Sequence, residues 1–331
     1  MKNFNIPVVL FLFKRAEKSR KIIEKLTEIR PTKIYLLSDA GRTCEEQLQV
    51  EVCRKTVEAS ITWDCEVIKR YAAKNIGIYE NIAEGAKWVF KREIYAIFLE
   101  DDNFPEITFF KFCEDMLKKY EKDFRVLWVC GTNYLKEYCP ADGSSYVFTK
   151  NMMPCGWASW SDKFIKFYDG ELTLWKNEYI KKRLQKEYIN KKHFIQDAYN
   201  FDYELDAIKR FGRFYSWDYQ MALSMRTHNL YAIVPKYNQI KNIGVDSEST
   251  HGGKDLMAHR FCNLPTKPLD FPLTHPTAFL LDLTFEKNVS KIIVDPSFFK
   301  IKSYASRYIK SLFRINKTES LLQYLKGFLK K

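Results

Sequence analysis

The chain predicts an α/β fold: a mixed, mostly parallel sheet with helices on both faces, extended at its C-terminal end by basic helices. Three observations carry this. Strand and helix signals alternate through the first 130 residues, the pattern of a sheet built from crossover units. The apolar run Ile94-Tyr95-Ala96-Ile97-Phe98-Leu99 reads as a buried strand and closes on Glu100-Asp101-Asp102. The final 32 residues combine apolar residues at helical spacing with nine Lys and Arg against one Glu.

Taken in order, Ile6–Phe13 is the first strand. Ala16–Ile29 follows as a helix, with Ile22, Ile23, Leu26 and Ile29 on one face and Pro31 as its stop. Lys33–Ser38 is a strand ending in the turn Ser38-Asp39-Ala40-Gly41. Glu45–Ala59 suits a helix and Trp63–Arg70 a strand; Ile78–Arg92 is a helix with Ile78, Ile82, Ala86, Val89 and Phe90 in register. After the acidic strand end come a helix over Pro105–Tyr120 and a strand over Arg125–Gly131. Beyond residue 131 the pattern is irregular and aromatic. A charged helix is expected near Lys176–Lys192, another opens at Ser216-Trp217-Asp218, and Tyr231–Val234 is a short strand closed by Pro235. The Pro-rich stretch 262–299 is expected to wrap the sheet in extended form.

At 331 residues the chain can bury a sizeable core. Its 46% hydrophobic content excludes a disordered class. Net charge is +13, of which the last 32 residues supply +8, so the anionic partner this balance implies belongs mainly to the tail. Eight scattered Cys form no C-x-x-C pair and no zinc spacing with the five His, which reads as a reduced compartment. No apolar run approaches the ~20 residues of a membrane span. In the tail, Ile301, Tyr304, Tyr308, Leu312 and Ile315, then Leu321, Leu322, Leu325, Phe328 and Leu329, recur at helical spacing opposite a basic face. Such helices suit an anionic membrane surface.

Polar residues sit at the end of each early strand: Lys14-Arg15, Asp39, Lys74-Asn75-Ile76-Gly77 and Glu100-Asp101-Asp102. Strand ends of a parallel sheet converge on one edge, where ligands bind. Three carboxylates there repel one another unless a cation sits among them. Carboxylate oxygens suit Mg²⁺ or Mn²⁺ bridging to a diphosphate. Asp39 suits a base or ribose, and Asn75 with the Gly77 backbone suits an anion or a nucleobase edge. No G-x-G-x-x-G follows a strand and no Walker loop is present, which turns the reading from nicotinamide cofactors and ATP hydrolysis toward nucleotide-sugars.

The order resembles the GT-A glycosyltransferases, with their Rossmann-like nucleotide-diphospho-sugar fold, in particular the bacterial family 2-like enzymes related to the N-acetylglucosaminyltransferase I type. The stretches that carry the resemblance span residues 6–251. They are Pro7–Phe11 with Lys14-Arg15, Ser38-Asp39, Asn75–Ile78, Leu99–Asp102, Gly156-Trp157-Ala158-Ser159-Trp160, Ser216–Gln220, and Asn242-Ile243-Gly244 leading to Thr250-His251. The resemblance implies a GT-A domain over 1–261, with a nucleotide-binding half at 1–131 and an acceptor-binding half at 132–261, and a C-terminal extension at 262–331. It implies that Asp102 and His251 hold Mn²⁺ or Mg²⁺, and that Phe13, Lys14, Arg15, Asp39, Asn75, Gly77, Glu100 and Asp101 bind the nucleotide-sugar, a UDP-sugar first among them. Gly156, Trp157, Trp160 and Trp217 would meet the donor or acceptor sugar, and Asp218 would be the catalytic base of an inverting transfer. The triplet departs from the commoner Asp-x-Asp.

The function expected is transfer of a hexosyl or N-acetylhexosaminyl group to a glycan or lipid-linked acceptor, in bacterial capsule, lipopolysaccharide or other glycoconjugate assembly. The setting expected is cytoplasmic and peripheral, at the inner face of the plasma membrane. Two alternatives stand beside it: a basic nucleic-acid-binding protein or metal-dependent nuclease, and an inactive sugar-nucleotide-binding relative. Concentration of the charge in the tail and the absence of a nucleic-acid motif count against the first.

Overall fold

The computed structural model describes residues 4–245, 260–312 and 315. The first half builds strictly alternating units: β1 (Val8–Leu12), α1 (Ala16–Leu26), β2 (Lys33–Ser38), α2 (Cys44–Ser60), β3 (Glu66–Tyr71), α3 (Ile78–Phe90) and β4 (Tyr95–Glu100). Then come β5 (Asn103–Pro105), α4 (Thr108–Lys119), β6 (Val126–Cys130), β7 (Tyr146–Thr149), β8 (Trp157–Trp160) and α5 (Ser161–Phe167). Helices α6 (Glu178–Leu184), α7 (Lys191–Phe211) and α8 (Asp218–Thr227) lead to β9 (Tyr231–Pro235) and β10 (Ile240–Asn242); α9 (Leu283–Ile293) and α10 (Ile301–Leu312) follow.

Eight strands form one sheet in the order β3-β2-β1-β4-β8-β6-β9-β7. Strands β3, β2, β1 and β4 are parallel; β8 lies antiparallel between β4 and β6, and β7 is antiparallel to β9. The mixed sheet with helices on both faces is therefore the architecture found. The period-2 alternation of a strand explains the two cores. Val8, Leu10 and Leu12 of β1 join Ile22, Ile23 and Leu26 of α1 and Phe109, Phe112 and Met116 of α4 on one face. Val9 and Phe11 join Ile82, Ala86 and Val89 of α3 on the other, with Met221 of α8 and Phe285 of α9.

Three stretches differ from the sequence expectation. The charged helix near 176–192 is two elements: α6 ends at Leu184, and Asn190, whose side chain accepts from Lys192 N at 3.0 Å, starts the long helix α7. Residues 157–160 are a strand buried on both faces. The stretch 262–299 contains α9, capped by Asp282 through Phe285 N at 2.9 Å. Of the two amphipathic tail segments, the first is α10; the one from Leu321 lies outside the described residues.

Candidate functional site

Chain order runs β1 to β2 to β3 along one side of β1, then returns to place β4 on its other side. That reversal makes the edge beyond the carboxyl ends of β1 and β4 a topological switch point, the place where open α/β sheets bind their ligands. Phe13, Lys14 and Arg15 leave β1 there, and Asp101 and Asp102 leave β4. The short ribbon of β5 with β10 sets Asn103 opposite Asn242 and brings the following loop across the same edge.

Arg15 is the cation among these carboxylates. One nitrogen, Nη1, donates to Asp101 Oδ1 at 2.9 Å and to Asp102 Oδ2 at 2.7 Å. The backbone N of Phe13 donates to Asp101 Oδ2 at 3.2 Å. Asp102 Oδ1 accepts from Asn103 Nδ2 at 2.7 Å and Asn242 Nδ2 at 3.4 Å. Asn103 also ties the strand ends together, its Oδ1 accepting from Gly156 N at 2.8 Å and Glu100 N at 3.3 Å. Ile243 N donates to the Asp102 carbonyl at 2.8 Å. A Cβ on Gly244 would come within 2.3 Å of Asp102 Oδ2 and 2.9 Å of Asn242 Oδ1. Glycine is what lets the loop close on Asp102.

The Glu100 carboxylate has no hydrogen bond or ion pair with any described residue. Burial, followed by the charges of Asp102, Asp101 and Asp218, pushes its pKa well above the usual carboxylate range. Asp101 rises to about 6, burial outweighing the Arg15 guanidinium beside it. The effect of Asp218 on Glu100 ties α8 to the strand-end cluster. Asp218 begins that helix, and Ser216 Oγ donates to its Oδ1. Burial raises its pKa as well, partly offset by that hydrogen bond. Cys155 and Tyr134 complete the surroundings: the Cys155 thiol is raised first by burial and then by Glu100 and Asp102, and Tyr134 first by burial.

Asp39 is fully engaged within the chain. Its Oδ1 accepts from Ala40 N and Ile76 N, each at 2.8 Å, and its Oδ2 from Asn75 Nδ2 and Gly77 N, each at 2.9 Å. The anion expected at the start of α3 is thus supplied by Asp39, and Gly77, at φ 87°, lets the chain bend over it. Lys14 pairs with Glu46 at 3.0 Å, and Glu46, also bound by Arg42, is depressed to about 2, first by the hydrogen bond from Arg42.

The aromatic residues expected at the sugar lie elsewhere. Trp157 is 1% exposed. It stacks between Phe98, at 3.9 Å between centroids, and Trp128, at 4.1 Å. Trp160 is equally buried and donates from Nε1 to the Leu117 carbonyl at 2.9 Å. Both faces of the Trp157 ring are covered, so it forms core packing where an open platform was expected. Trp217 is buried too, tilted against Trp128 and Trp157. Gly156, at φ 63°, contributes its backbone, accepting from Gly131 N at 2.7 Å. His251 lies outside the described residues. Of the cluster's residues, Asn103 stands outside every stretch that carries the resemblance, its only signal being adjacency to Asp102, whereas Ser216, Asn242 and Gly244 stand inside such stretches but carried no expected role.

Among the described residues no group of three or more His, Cys, Asp and Glu is arranged to hold a metal ion. The donor set fits a hard ion held differently. Mg²⁺-type ions commonly take only one or two carboxylates and complete their shell with water and substrate phosphate. Glu100, half-buried two positions from Asp102, makes no side-chain hydrogen bond or ion pair with any described residue, so its oxygens are available to such an ion.

No protein-family model matches the chain, and no curated protein matches it. Solved structures similar to it include the mannosyltransferase PcManGT from Pyrobaculum calidifontis in complex with GDP-Man and Mn²⁺. That structure is 9% identical, with a TM-score of 0.38 over 68% of this chain and 70% of that one. UDP-glucose pyrophosphorylase complexed with UDP-glucose is 8% identical, with a TM-score of 0.35 over 72% of this chain and 93% of that one. Likeness at this level carries no argument about what this chain binds.

Proposed function

We propose that this chain is a glycosyltransferase that moves a sugar from a nucleotide-sugar to a hydroxyl acceptor in the crevice beyond β1 and β4. What supports the reading is the placement of Glu100 and Asp102 at the carboxyl end of β4, with the Asp218 charge among those that act on Glu100. Residue types and strand-end positions resemble those of the GT-A glycosyltransferases.

In this reading Asp102 and Glu100 hold a divalent ion, joined by His251. The ion, Mn²⁺ or Mg²⁺, supplies charge that stabilises the departing diphosphate. Arg15, held at the same edge, adds a fixed positive charge where negative charge builds. Asp101 keeps Arg15 and the Phe13 backbone in place, and Lys14 faces the donor. Asp39 acts by holding the Asn75–Gly77 turn against which the nucleoside rests. Asp218 takes the acceptor proton. The acceptor oxygen bonds to the anomeric carbon as the bond from that carbon to the diphosphate oxygen breaks, the electron pair leaves with the nucleotide, and the proton passes to Asp218. One displacement inverts the anomeric centre. Burial favours this role, because a carboxylate with a raised pKa is a stronger base.

The donor is a UDP-sugar, with GDP-sugars as the comparison. The acceptor is a glycan or lipid-linked saccharide of bacterial surface polysaccharide assembly, met at the inner membrane face. The family resemblance and the basic C-terminal segment support that setting.

The test is a panel of UDP- and GDP-sugars incubated with Mn²⁺, with and without saccharide acceptors, read as nucleotide release by wild type and Asp218→Asn. Release by wild type and its loss in the variant, with nucleotide-sugar binding retained, supports the reading. Equal release by both removes Asp218 from the base role.

A further inference from the structure

Among the described side chains of helix α10, Arg307 and Lys310 turn toward α7 while an apolar set faces outward. Tyr308 is 64% exposed, Ile309 36% and Leu312 64%, and Ala305 is exposed too. Spaced i, i+3, i+4 and i+7, these four share one face. The opposite side turns to α7. The Arg307 guanidinium stacks on Phe298 at 3.7 Å and lies 5.5 Å from the Tyr199 ring. Arg307 and Lys310 line a cavity of about 370 Å³ that they share with Asp202 and Asp206. A helix resting on a protein in water has the reverse orientation, so the outward apolar face calls for a cover.

Charge around the face identifies the cover. Lys191, Lys192 and Lys300 are exposed, and Lys192 Nζ lies 5.5 Å from the Phe299 ring of the turn leading into α10. Ile195, one turn along α7 from Lys192, is exposed as well. The cavity side adds Arg210, Arg307 and Lys310 against Asp202 and Asp206, so the region around the helix keeps a net positive charge, which with the apolar face matches the anionic headgroups and acyl boundary of a bilayer. A second copy matches it poorly, because two-fold symmetry sets the same lysines against each other.

We infer that the outward face of α10, Ala305-Tyr308-Ile309-Leu312, with Lys192 and Lys300 beside it, is a docking surface for an anionic lipid bilayer. Tyr308 and Leu312 enter the headgroup and acyl boundary, and the lysines contact lipid phosphate. Binding through this face fixes the domain on the membrane in one orientation. The inference rests on the proposed function only for its setting, since the surface is distinct from the crevice.

The experiment is co-sedimentation of the full chain with phosphatidylcholine vesicles with and without about a third phosphatidylglycerol. It compares wild type, the pair Tyr308→Asp and Leu312→Asp, and the pair Lys192→Glu and Lys300→Glu. Nucleotide-sugar binding, thermal midpoint and solution mass are measured on the same samples. Wild type is expected to bind the anionic vesicles, and each pair to lose about tenfold in partition at an unchanged midpoint. Wild type that ignores the vesicles, or pairs that bind as wild type does, overturns the inference. A wild-type dimer made monomeric by the apolar pair overturns it in favour of a second copy. Vesicle binding without any nucleotide-sugar binding leaves this surface standing and removes the transferase reading.

Discussion

Arg15 and Asp102 meet at 2.7 Å, Nη1 to Oδ2, and the same nitrogen lies 2.9 Å from Asp101. One guanidinium thus bridges two carboxylates that follow each other in the chain, at side-chain exposures of 14%, 9% and 14%. Removing one partner of a buried pair leaves the other uncompensated, and here two would be left. Arg15→Ala is expected to destabilise the fold by about 3–5 kcal/mol. Urea unfolding of wild type and variant checks it; a change within error would mean that the bridge contributes nothing.

Gly244 controls the same carboxylate from the other side. Because its Cβ would sit 2.3 Å from Asp102 Oδ2, Gly244→Ala should displace Asp102 or lift the loop. Nucleotide-sugar affinity is expected to fall by at least about tenfold, about 1.4 kcal/mol, while the thermal midpoint moves little. Calorimetric titration reads the first and a melting curve the second.

The acidic cluster makes stability depend on pH. Glu100 is raised well above the ordinary carboxylate range and Asp101 to about 6, burial being the first cause in each. The folded state therefore binds more protons than the unfolded chain from about pH 4 up to those raised values. Their contribution to stability is whole below the unfolded pKa and is lost as pH rises through the folded one. Glu100→Gln carries no such titration. It should match wild type near pH 4.5 and exceed it at pH 7.5 by about 1–3 kcal/mol, the scale of an unpaired buried polar group. Melting curves across pH show this as a widening gap; a constant gap would contradict it.

Trp157 offers a prediction about core rather than chemistry. Stacked between Phe98 and Trp128 at about 4 Å, it should cost about 3–5 kcal/mol when replaced by Ala. Denaturant unfolding checks this.

How far the sequence reached follows from what each segment repeats. Through residue 131 strands β1, β2, β4 and β6 are short apolar runs and helices α1, α3 and α4 carry apolar stripes, so β1 to α3 stand within a few residues of expectation, while the three-residue β5, polar at Asn103, has no such signal. Period fails where burial is two-sided or polar. Trp157–Trp160 is covered on both faces, so its four residues show no alternation and read as a motif. Helix α7 buries His193, Asp197, Asn200 and Glu204, polar residues that break up its apolar stripe. In the site, the strand-end carboxylates were legible because topology alone brings them to one edge. The task of Asp39 was not. A turn aspartate that grips a backbone segment 36–38 positions away looks, in sequence, like one that waits for a ligand. Arg15 was legible as a basic residue after β1, but its bridging of Asp101 and Asp102 needed the register of β1 against β4.

The most direct measurement is calorimetric titration of UDP- and GDP-sugars into wild type and Asp102→Asn, each with and without Mn²⁺. The account predicts that wild type binds a nucleotide-sugar more tightly with Mn²⁺ and that Asp102→Asn loses the metal-dependent part of the affinity. Equal binding by the two proteins, or no binding of any nucleotide-sugar by wild type, would contradict it.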